Sequence, residues 1–302
     1  MSESEKKTGS PVLGERPEGE EKMDILEFLK VVFFGIVEGI TEWLPVSSTG
    51  HMILLDEFVK LKGSADFVNV FLVVIQLGAI FAVVLQFWNQ LFPFQFKDKN
   101  RPVIEMDKMI LWGKILLACI PAAVIGILFD DVFEAMFYHA VPVAIALIVF
   151  GIAFIVIERW NKGKRPRMKT VEDLTISAVL IIGVFQLIAA IFPGTSRSGA
   201  TIVGALLIGV SRKAASEFTF FLAVPVMLGA SLLKVLQYGF AFSGSELLVL
   251  AVGMITAFLV SIVVIRFLMD YIKKHDFQAF GWYRIVLGII VLLCSMAGVI
   301  QV

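Results

Sequence analysis

EGITEWLPVSSTGH, residues 38–51, and PGTSRSGAT, residues 193–201, are polar segments inside apolar sequence. The first lies between the apolar stretches 25–44 and 51–59, and the second between 174–192 and 200–210. Each contains a proline, which ends a helix, and then hydroxyl residues, which favour the start of the next helix. We predict that each pair of stretches is a re-entrant helical hairpin, because full crossings would break the alternation of loop charges described below.

The composition is that of a lipid-facing protein: apolar residues make up 58% of the 302 residues and charged residues 17%. Crossing a hydrocarbon core takes roughly 20 helical residues. Six further stretches are apolar enough and of about this length: 67–88, 109–129, 141–158, 215–238, 247–268 and 283–301. The predicted fold is all-α, a polytopic membrane protein with six transmembrane helices plus the two hairpins. Because the net charge is zero, no nucleic-acid partner is expected.

Lysine and arginine concentrate in particular loops, and such loops face the cytoplasm. The 159–170 loop carries six of them, whereas the 130–140 loop carries acids and neither Lys nor Arg. A second basic loop, 89–108, contains Lys97, Lys99, Arg101 and Lys108. Alternation from these loops places both ends of the mature chain outside the cell. Only Lys60 and Lys62 are discordant, and acidic residues flank them.

The two halves of the chain resemble each other. Gly35 lies ten residues before Pro45, as Gly183 does before Pro193. Each half has an odd number of crossings, so repeat one (about 23–160) and repeat two (about 171–302) are predicted to have opposite orientations, with the hairpins meeting near the membrane centre. Residues 1–22, rich in Glu, Gly and Pro, are predicted to be a disordered N-terminal extension or a tag.

Two carboxylates mark the first polar segment. Glu38 and Glu42 are one helical turn apart and share a face. Acids in an apolar segment indicate function, so we expect them to hold a divalent cation such as Mg²⁺ or Ca²⁺, or one of them to carry a proton. The alternative is that they cap a helix or pair with a buried arginine.

Hydroxyls and a histidine follow these acids. Ser47, Ser48 and Thr49 lie at a helix start, where free N–H groups favour an anion such as a phosphoryl group. His51, one of three histidines, is a candidate base, acid or nucleophile.

The second polar segment has the composition of a phosphate-binding loop. Arg197 offers two parallel donors to phosphoryl oxygens. Its neighbours supply close backbone approach or hydroxyls, and the candidate binding residues are Gly194, Thr195, Ser196, Ser198 and Thr201. Small residues also allow close helix packing, but that alternative leaves a buried arginine unexplained. Arg212 and Glu217, further along, are expected to pair with each other or to meet lipid headgroups.

Together the segments 38–51 and 193–201 resemble the two signature motifs of the undecaprenyl-diphosphate phosphatase family linked to bacitracin resistance, and the likeness extends over 23–302. The resemblance implies hydrolysis of undecaprenyl diphosphate to undecaprenyl phosphate and phosphate in the bacterial plasma membrane. This reaction recycles the lipid carrier for cell-wall synthesis. The expected partners are the polyprenyl diphosphate substrate and membrane lipids, and the sequence allows a homodimer.

The resemblance also implies roles for individual residues. Ser48, His51 and Arg197 match positions associated with catalysis and phosphate binding, and Glu38 and Glu42 match acids with a metal or acid-base role. Whether Ser48 or His51 attacks phosphorus stays open. Two other classes of protein also stay open at this point: a transporter or flippase for a lipid phosphate or small anion, and a structural lipid-binding scaffold.

The predicted orientation can be tested by labelling single cysteines in intact cells. With Cys119 and Cys294 replaced, a cysteine at Ala135 or Phe242 should react with an impermeant reagent, and one at Gly163 should react only after the cells are opened. Labelling at 163 alone in intact cells would show that the chain has the opposite orientation to the predicted one.

Overall fold

The chain folds into α-helices joined by short links, in a computed structural model that describes residues 23–96 and 102–300. Within these ranges there are eleven helices: α1 Ile25–Thr41, α2 Ser48–Phe58, α3 Ala65–Gln86, α4 Trp88–Leu91, α5 Met106–Phe137, α6 Ala140–Asn161, α7 Ile176–Ile191, α8 Arg197–Leu207, α9 Arg212–Tyr238, α10 Gly244–Tyr271 and α11 Gln278–Met296. The predicted extension 1–22 and the basic residues Lys97, Lys99 and Arg101 lie outside the described residues.

Side-chain caps explain where many of these helices begin. Asp24 accepts a hydrogen bond of 2.7 Å from the N–H of Glu27 at the start of α1. Ser243 and Glu246 form a capping box at the start of α10. Such caps satisfy N–H groups that have no partner inside the helix. The starts of these helices are therefore specified locally by the sequence.

Six helices in the described ranges are long and apolar enough to cross a membrane, which confirms the predicted number of transmembrane helices. They are α3, the Met106–Gly126 part of α5, α6, α9, α10 and α11. Helices α1 and α7 have 17 and 16 residues, and α2 and α8 have 11 each. All four are shorter than the roughly 20 residues of a full crossing. Their lengths are those of hairpin arms, although entry from opposite sides stays a prediction.

The two halves of the chain interlock. Helix α1 packs along α10, and α7 packs along α5, so the first helix of each predicted hairpin lies against a helix of the other half. Helix α3 packs on α9 and α6 on α11, which again joins the halves. This exchange of partners brings the two polar segments to the centre of the molecule.

Apolar side chains cover both the interior and the outside. Trp43, between α1 and α2, is fully buried and meets the ring of Phe220 on α9 edge to face, with 5.2 Å between ring centroids. On the outside, α6 presents a row of exposed side chains that we call the α6 stripe: Val149, Ile152, Val156 and Trp160. A lipid bilayer is the solvent that tolerates such a surface.

The structure shows the partners of two groups of charged residues that the sequence analysis singled out. Lys60 lies 3.2 Å from Asp56 and Lys62 lies 3.1 Å from Asp24, so acids offset the discordant lysines. The predicted pairing of Arg212 with Glu217 is wrong. Arg212 binds Glu158 on α6 with two hydrogen bonds, of 2.8 and 2.5 Å, and Glu217 lies 3.7 Å from Lys213.

The reason for this correction is geometric. Residues five apart do not face each other on a helix, whereas residues four apart do. Lys213 is therefore the local partner of Glu217. The start of α9 lies near the end of α6, so Glu158 reaches Arg212 across 54 residues of sequence.

Close packing of α3 on α10 depends on Gly78. A Cβ added to Gly78 would lie 2.1 Å from the carbonyl oxygen of Met254, and backbone cannot move aside as a flexible side chain can. We expect Gly78→Ala to lower the free energy of unfolding by about 1–3 kcal/mol. Gly229→Ala in α9 is the matched control, because an added Cβ there meets nothing within 4 Å. The measurement is thermal unfolding of both variants in detergent. If the two variants unfold at the same midpoint, the close backbone contact of α3 with α10 at Gly78 is contradicted.

Candidate active site

The first polar segment forms a sharp break between two helices. Helix α1 ends at Thr41, and α2 begins at Ser48. Ser47 caps α2: its Oγ accepts a hydrogen bond of 3.3 Å from the N–H of Gly50. The backbone of Ser47 has φ 76°, a left-handed conformation that non-glycine residues rarely adopt.

The second polar segment forms the same kind of break. Helix α7 ends at Ile191, and α8 begins at Arg197. Ser196 has φ 67°, and its Oγ accepts a hydrogen bond of 3.2 Å from the N–H of Gly199. Within the described residues, Ser47 and Ser196 are the two non-glycine residues with positive φ. Strained backbone of this kind concentrates at functional sites, so both breaks are candidates for a functional site.

A single carboxylate connects the two breaks. Arg197 Nη2 donates to Glu42 Oε1 at 2.8 Å, and Ser48 Oγ donates to Glu42 Oε2 at 3.0 Å. Ser198 Oγ also donates to the backbone oxygen of Glu42, at 3.3 Å. Glu42 is buried and Arg197 is half-buried. The structure therefore brings Arg197 to Glu42, 155 residues away in sequence, and to the neighbouring Ser48. It also realises the expected alternative of an acid paired with an arginine.

Arg284 on α11 contacts both breaks. The sequence analysis did not identify this residue. Its side chain is fully buried. Nη1 donates to the backbone oxygen of Pro45 at 3.2 Å, and Nη2 donates to those of Gly194 and Thr195 at 2.9 and 2.6 Å. Broken helices leave carbonyls without partners, and this guanidinium satisfies three of them. The available signal was an arginine inside an apolar helix.

The charge of Arg284 is also a feature of the site. Among the ion pairs of the described residues none includes Arg284, so its positive charge is not offset by a contacting carboxylate. An unpaired cation in an apolar interior favours a bound anion nearby.

His51 lies beside this group in a defined tautomer. Its Nδ1 is 2.7 Å from the backbone oxygen of Ser47, which can only accept, so Nδ1 carries a proton. Its Nε2 is 2.7 Å from the hydroxyl of Tyr283, with the two rings stacked. When the ring is neutral, Nε2 accepts the tyrosine proton, and it is the nitrogen available for proton transfer. The sequence analysis did not identify Tyr283, because nothing near it in the sequence indicates that it meets His51.

Glu38 is the second acid of the site and lies one turn before Glu42. It is buried, and its Oε1 has no hydrogen-bond partner among the described residues. A buried carboxylate oxygen without a partner requires a proton or a cation. The described residues contain no cluster of three or more His, Cys, Asp or Glu side chains. Glu38 therefore offers an oxygen that a hard cation could use, whereas both oxygens of Glu42 already have partners in Arg197 and Ser48.

The predicted binding residues differ in position. The Thr201 side chain is fully buried, and its hydroxyl bonds to Thr219 Oγ1 at 2.8 Å and to the backbone oxygen of Arg197 at 2.9 Å, so it connects α8 to α9. Thr195 is fully buried, and its hydroxyl has no hydrogen-bond partner among the described residues. Gly194 is also buried and contributes a carbonyl to Arg284. The hydroxyl residues that remain partly exposed at the helix starts are Ser48, Thr49 and Ser196.

Comparison with known proteins identifies the family. The family model described as "Bacitracin resistance protein BacA" matches residues 31–290, a range that includes both breaks and Arg284. The chain belongs to this family.

Members of the BacA family with curated names are similar over nearly the whole chain. An "Undecaprenyl-diphosphatase" of Desulfitobacterium hafniense is 62% identical over 271 residues, which are 90% of this chain and 97% of the relative. A protein of the same name from Enterococcus faecalis is 61% identical over 273 residues, 90% of this chain and 99% of the relative. "Undecaprenyl-diphosphatase 1" of Clostridium acetobutylicum is 58% identical over 271 residues, 90% of this chain and 98% of the relative.

Arg284 is expected to hold the two breaks together. Arg284→Met keeps a long side chain but removes every donor, and each buried carbonyl left unpaired costs about 1–3 kcal/mol. The variant should unfold at a lower temperature, and hydrogen exchange should accelerate at 42–47 and 192–196. Arg266→Met is the matched control, because Arg266 on α10 is exposed. Unchanged exchange at both breaks in Arg284→Met would contradict this role.

Proposed function

We propose that the chain is an undecaprenyl-diphosphatase, which hydrolyses undecaprenyl diphosphate to undecaprenyl phosphate and phosphate. The relatives named above carry this activity in their names. The observation that carries the proposal is the contact of Glu42 with both Ser48 and Arg197, since it joins an acceptor, a hydroxyl and a guanidinium in one half-buried site. The same names favour the hydrolase over a transporter or flippase. The reaction would recycle the lipid carrier for cell-wall synthesis.

Binding of the diphosphate would depend on positive charge from several sources. Arg197 is held by Glu42 and by the backbone oxygen of Thr219 at 2.9 Å, and its buried Nε has no partner among the described residues. The starts of α2 and α8 add free backbone N–H groups and the positive ends of two helix dipoles. Arg284 adds a positive charge beneath both loops. These groups offset the negative charge of the diphosphate. Their stabilising effect becomes larger as the transition state forms.

Ser48 is the nucleophile that the geometry favours. Its hydroxyl donates to Glu42 Oε2 at 3.0 Å, so the carboxylate can accept the proton as the oxygen attacks. Attack of Ser48 Oγ on the terminal phosphorus forms an oxygen–phosphorus bond and breaks the bond to the bridging oxygen. Undecaprenyl phosphate leaves, and water then releases phosphate from the serine.

His51 would act in proton transfer next to this step. Its neutral tautomer presents Nε2 toward the Tyr283 hydroxyl at 2.7 Å, and a substrate oxygen or a water can replace that partner. In this assignment Tyr283 is a positioning residue that keeps the imidazole ring in one orientation.

A divalent cation, Mg²⁺ or Ca²⁺, is part of the proposal. Glu38 and Glu42 would hold it, since the free Oε1 of Glu38 lacks any other partner among the described residues. When bound, such an ion supplies positive charge to the phosphoryl oxygens.

The chain is a multi-pass membrane protein, and several finer properties belong to the proposal. The substrate's prenyl tail would remain in the bilayer, in contact with the apolar outer surface. We place both ends of the mature chain outside a bacterial plasma membrane, on the loop charges given above. A homodimer stays a prediction, which sedimentation in detergent would test.

Arg197→Lys is expected to lose nearly as much activity as Arg197→Ala, although it keeps the positive charge. Lys offers no planar pair of donors, and its single nitrogen cannot take the places of both Nη1, which binds Thr219, and Nη2, which binds Glu42. Misplacement of the phosphoryl group costs on the order of 100-fold in rate, about 2.7 kcal/mol. The assay is phosphate release from undecaprenyl diphosphate by purified protein in detergent, where no gradient exists. Arg266→Lys is the control.

Two outcomes of this assay would count against the proposal. An Arg197→Lys variant within about threefold of wild type, a barrier change of ~0.7 kcal/mol, would remove the two-donor role of Arg197. Wild-type protein that is folded and monodisperse but releases no phosphate would remove the hydrolase itself and favour transport.

The cation requirement has a separate test. Excess chelator should silence the wild type, and added Mg²⁺ or Ca²⁺ should restore phosphate release. Glu38→Gln keeps the size of the side chain and removes its charge. The variant should have a lower maximal rate, and it should reach that rate only at a higher metal concentration. Full activity in chelator would leave Glu38 with a role in proton transfer alone.

A further inference from the structure

A cavity of about 480 Å³ lies at the far end of α8 from the candidate active site. Arg197 begins α8, whereas Leu206 and Leu207 at its other end line the cavity. The helix has 11 residues, a length of about 16 Å, so the cavity is distinct from the active site. The end of α6 and the start of α9 complete its walls.

The cavity is strongly basic. Five cationic side chains and one acid line it: Lys164, Arg165, Arg167, Arg212, Lys213 and Glu158. Glu158 is already bound by Arg212, and Lys213 lies within 3.7 Å of Glu217. None of the ion pairs between described residues includes Lys164, Arg165 or Arg167. Three cations around the cavity therefore have no ion-pair partner within the described part of the chain.

The segment that carries these cations is fixed in place. The N–H of Arg167 donates to the backbone oxygen of Gly209 at 2.8 Å, and the N–H of Ser211 donates to that of Met168 at 2.8 Å. Ser211 Oγ also donates to the backbone oxygen of Lys169 at 2.8 Å. A site whose backbone is already ordered loses less entropy when a ligand binds. The start of α9 adds free N–H groups that favour an anion.

The surroundings indicate a lipid rather than a free ion. Trp160 and Leu207, which line the cavity, are 66% and 55% exposed. Trp160 is also the last member of the α6 stripe, so a continuous apolar track runs along α6 to the mouth of the cavity. Lys164 lies over the Trp160 ring, 4.2 Å from its centroid, which places a cation beside the apolar surface. Tryptophan with basic residues is typical of the level of lipid headgroups.

We propose that this cavity binds the phosphate-bearing headgroup of an anionic phospholipid, with an acyl chain of that lipid lying along the α6 stripe. Arg165 and Arg167 contact the phosphate, and Lys164 lies at the rim on Trp160. With the orientation predicted from the loop charges, this lipid would lie in the cytoplasmic leaflet. The proposal does not rest on the hydrolase activity, because the cavity and the active site use different residues.

The test is native mass spectrometry of the full chain in detergent, titrated with phosphatidylglycerol, with phosphatidylcholine of the same acyl chains, and with inorganic phosphate. Wild type should retain one phosphatidylglycerol in preference to phosphatidylcholine. The double variant Arg165→Ala, Arg167→Ala should bind it about 10- to 30-fold more weakly. Millimolar inorganic phosphate should not displace the lipid from wild type.

Matched controls separate the cavity from net charge. Lys60→Ala, Lys62→Ala removes the same charge from the link between α2 and α3, and it should bind phosphatidylglycerol like wild type. Both double variants should remain folded, with thermal midpoints near that of wild type. If the arginine double variant does not fold, Arg165→Glu alone serves, because Arg165 is exposed. Undiminished lipid binding in the arginine variant overturns the proposal, as does displacement of the lipid by inorganic phosphate, which would identify an ion site.

Discussion

The ion pair between Glu42 and Arg197 is the contact on which the centre of this protein depends. Each residue alone would be a charge inside an apolar helical assembly, which is costly without a partner. Together they neutralise each other and connect two hairpins from opposite halves of the chain. The pair also leaves each side chain with another partner: Ser48 on the carboxylate and Thr219 on the guanidinium. In the proposed mechanism, the same contact is therefore both a structural link and part of the reacting site.

The interrupted helices impose a second constraint: their unpaired carbonyls need hydrogen-bond donors, and Arg284 supplies them. A chain that breaks inside an apolar region exposes carbonyls that water cannot reach, and each must find a donor. Arg284 supplies donors to Pro45, Gly194 and Thr195 at once. A neutral donor of the same size would satisfy fewer carbonyls and would add no charge. The breaks can persist because this guanidinium satisfies their carbonyls, and the same residue adds a positive charge next to the site.

The sequence was informative where polar residues stand out against apolar neighbours. Glu38, Glu42, Ser48 and Arg197 could be found in this way, and the number of transmembrane helices followed from stretch lengths alone. Arg284 and the partnership of Tyr283 with His51 could not, because they depend on which distant helix packs beneath the breaks.

Local reasoning also misassigned residues whose partners lie on other helices. Of the two expectations for Arg212, a pair with Glu217 or a contact with headgroups, the pair is wrong: its partner is Glu158, which is distant in sequence but near in space. Thr201 belongs by sequence to the phosphate-binding segment, but its hydroxyl faces Thr219 on α9. Spacing within a helix predicts faces, while the neighbour of a face is decided by tertiary packing.

Ser47 and Ser196 begin α2 and α8 with the same strained backbone and the same hydroxyl-to-glycine cap. The next residue differs: a hydroxyl, Ser48, in the first half and a guanidinium, Arg197, in the second. In the proposed mechanism, two geometrically equivalent positions take different chemical tasks. An assembly of two identical halves would present the same residue twice and could hold substrate in either of two related poses. The difference between the halves removes that ambiguity, so under this mechanism a bound diphosphate would have one direction, with its reacting end fixed by the half that supplies the hydroxyl.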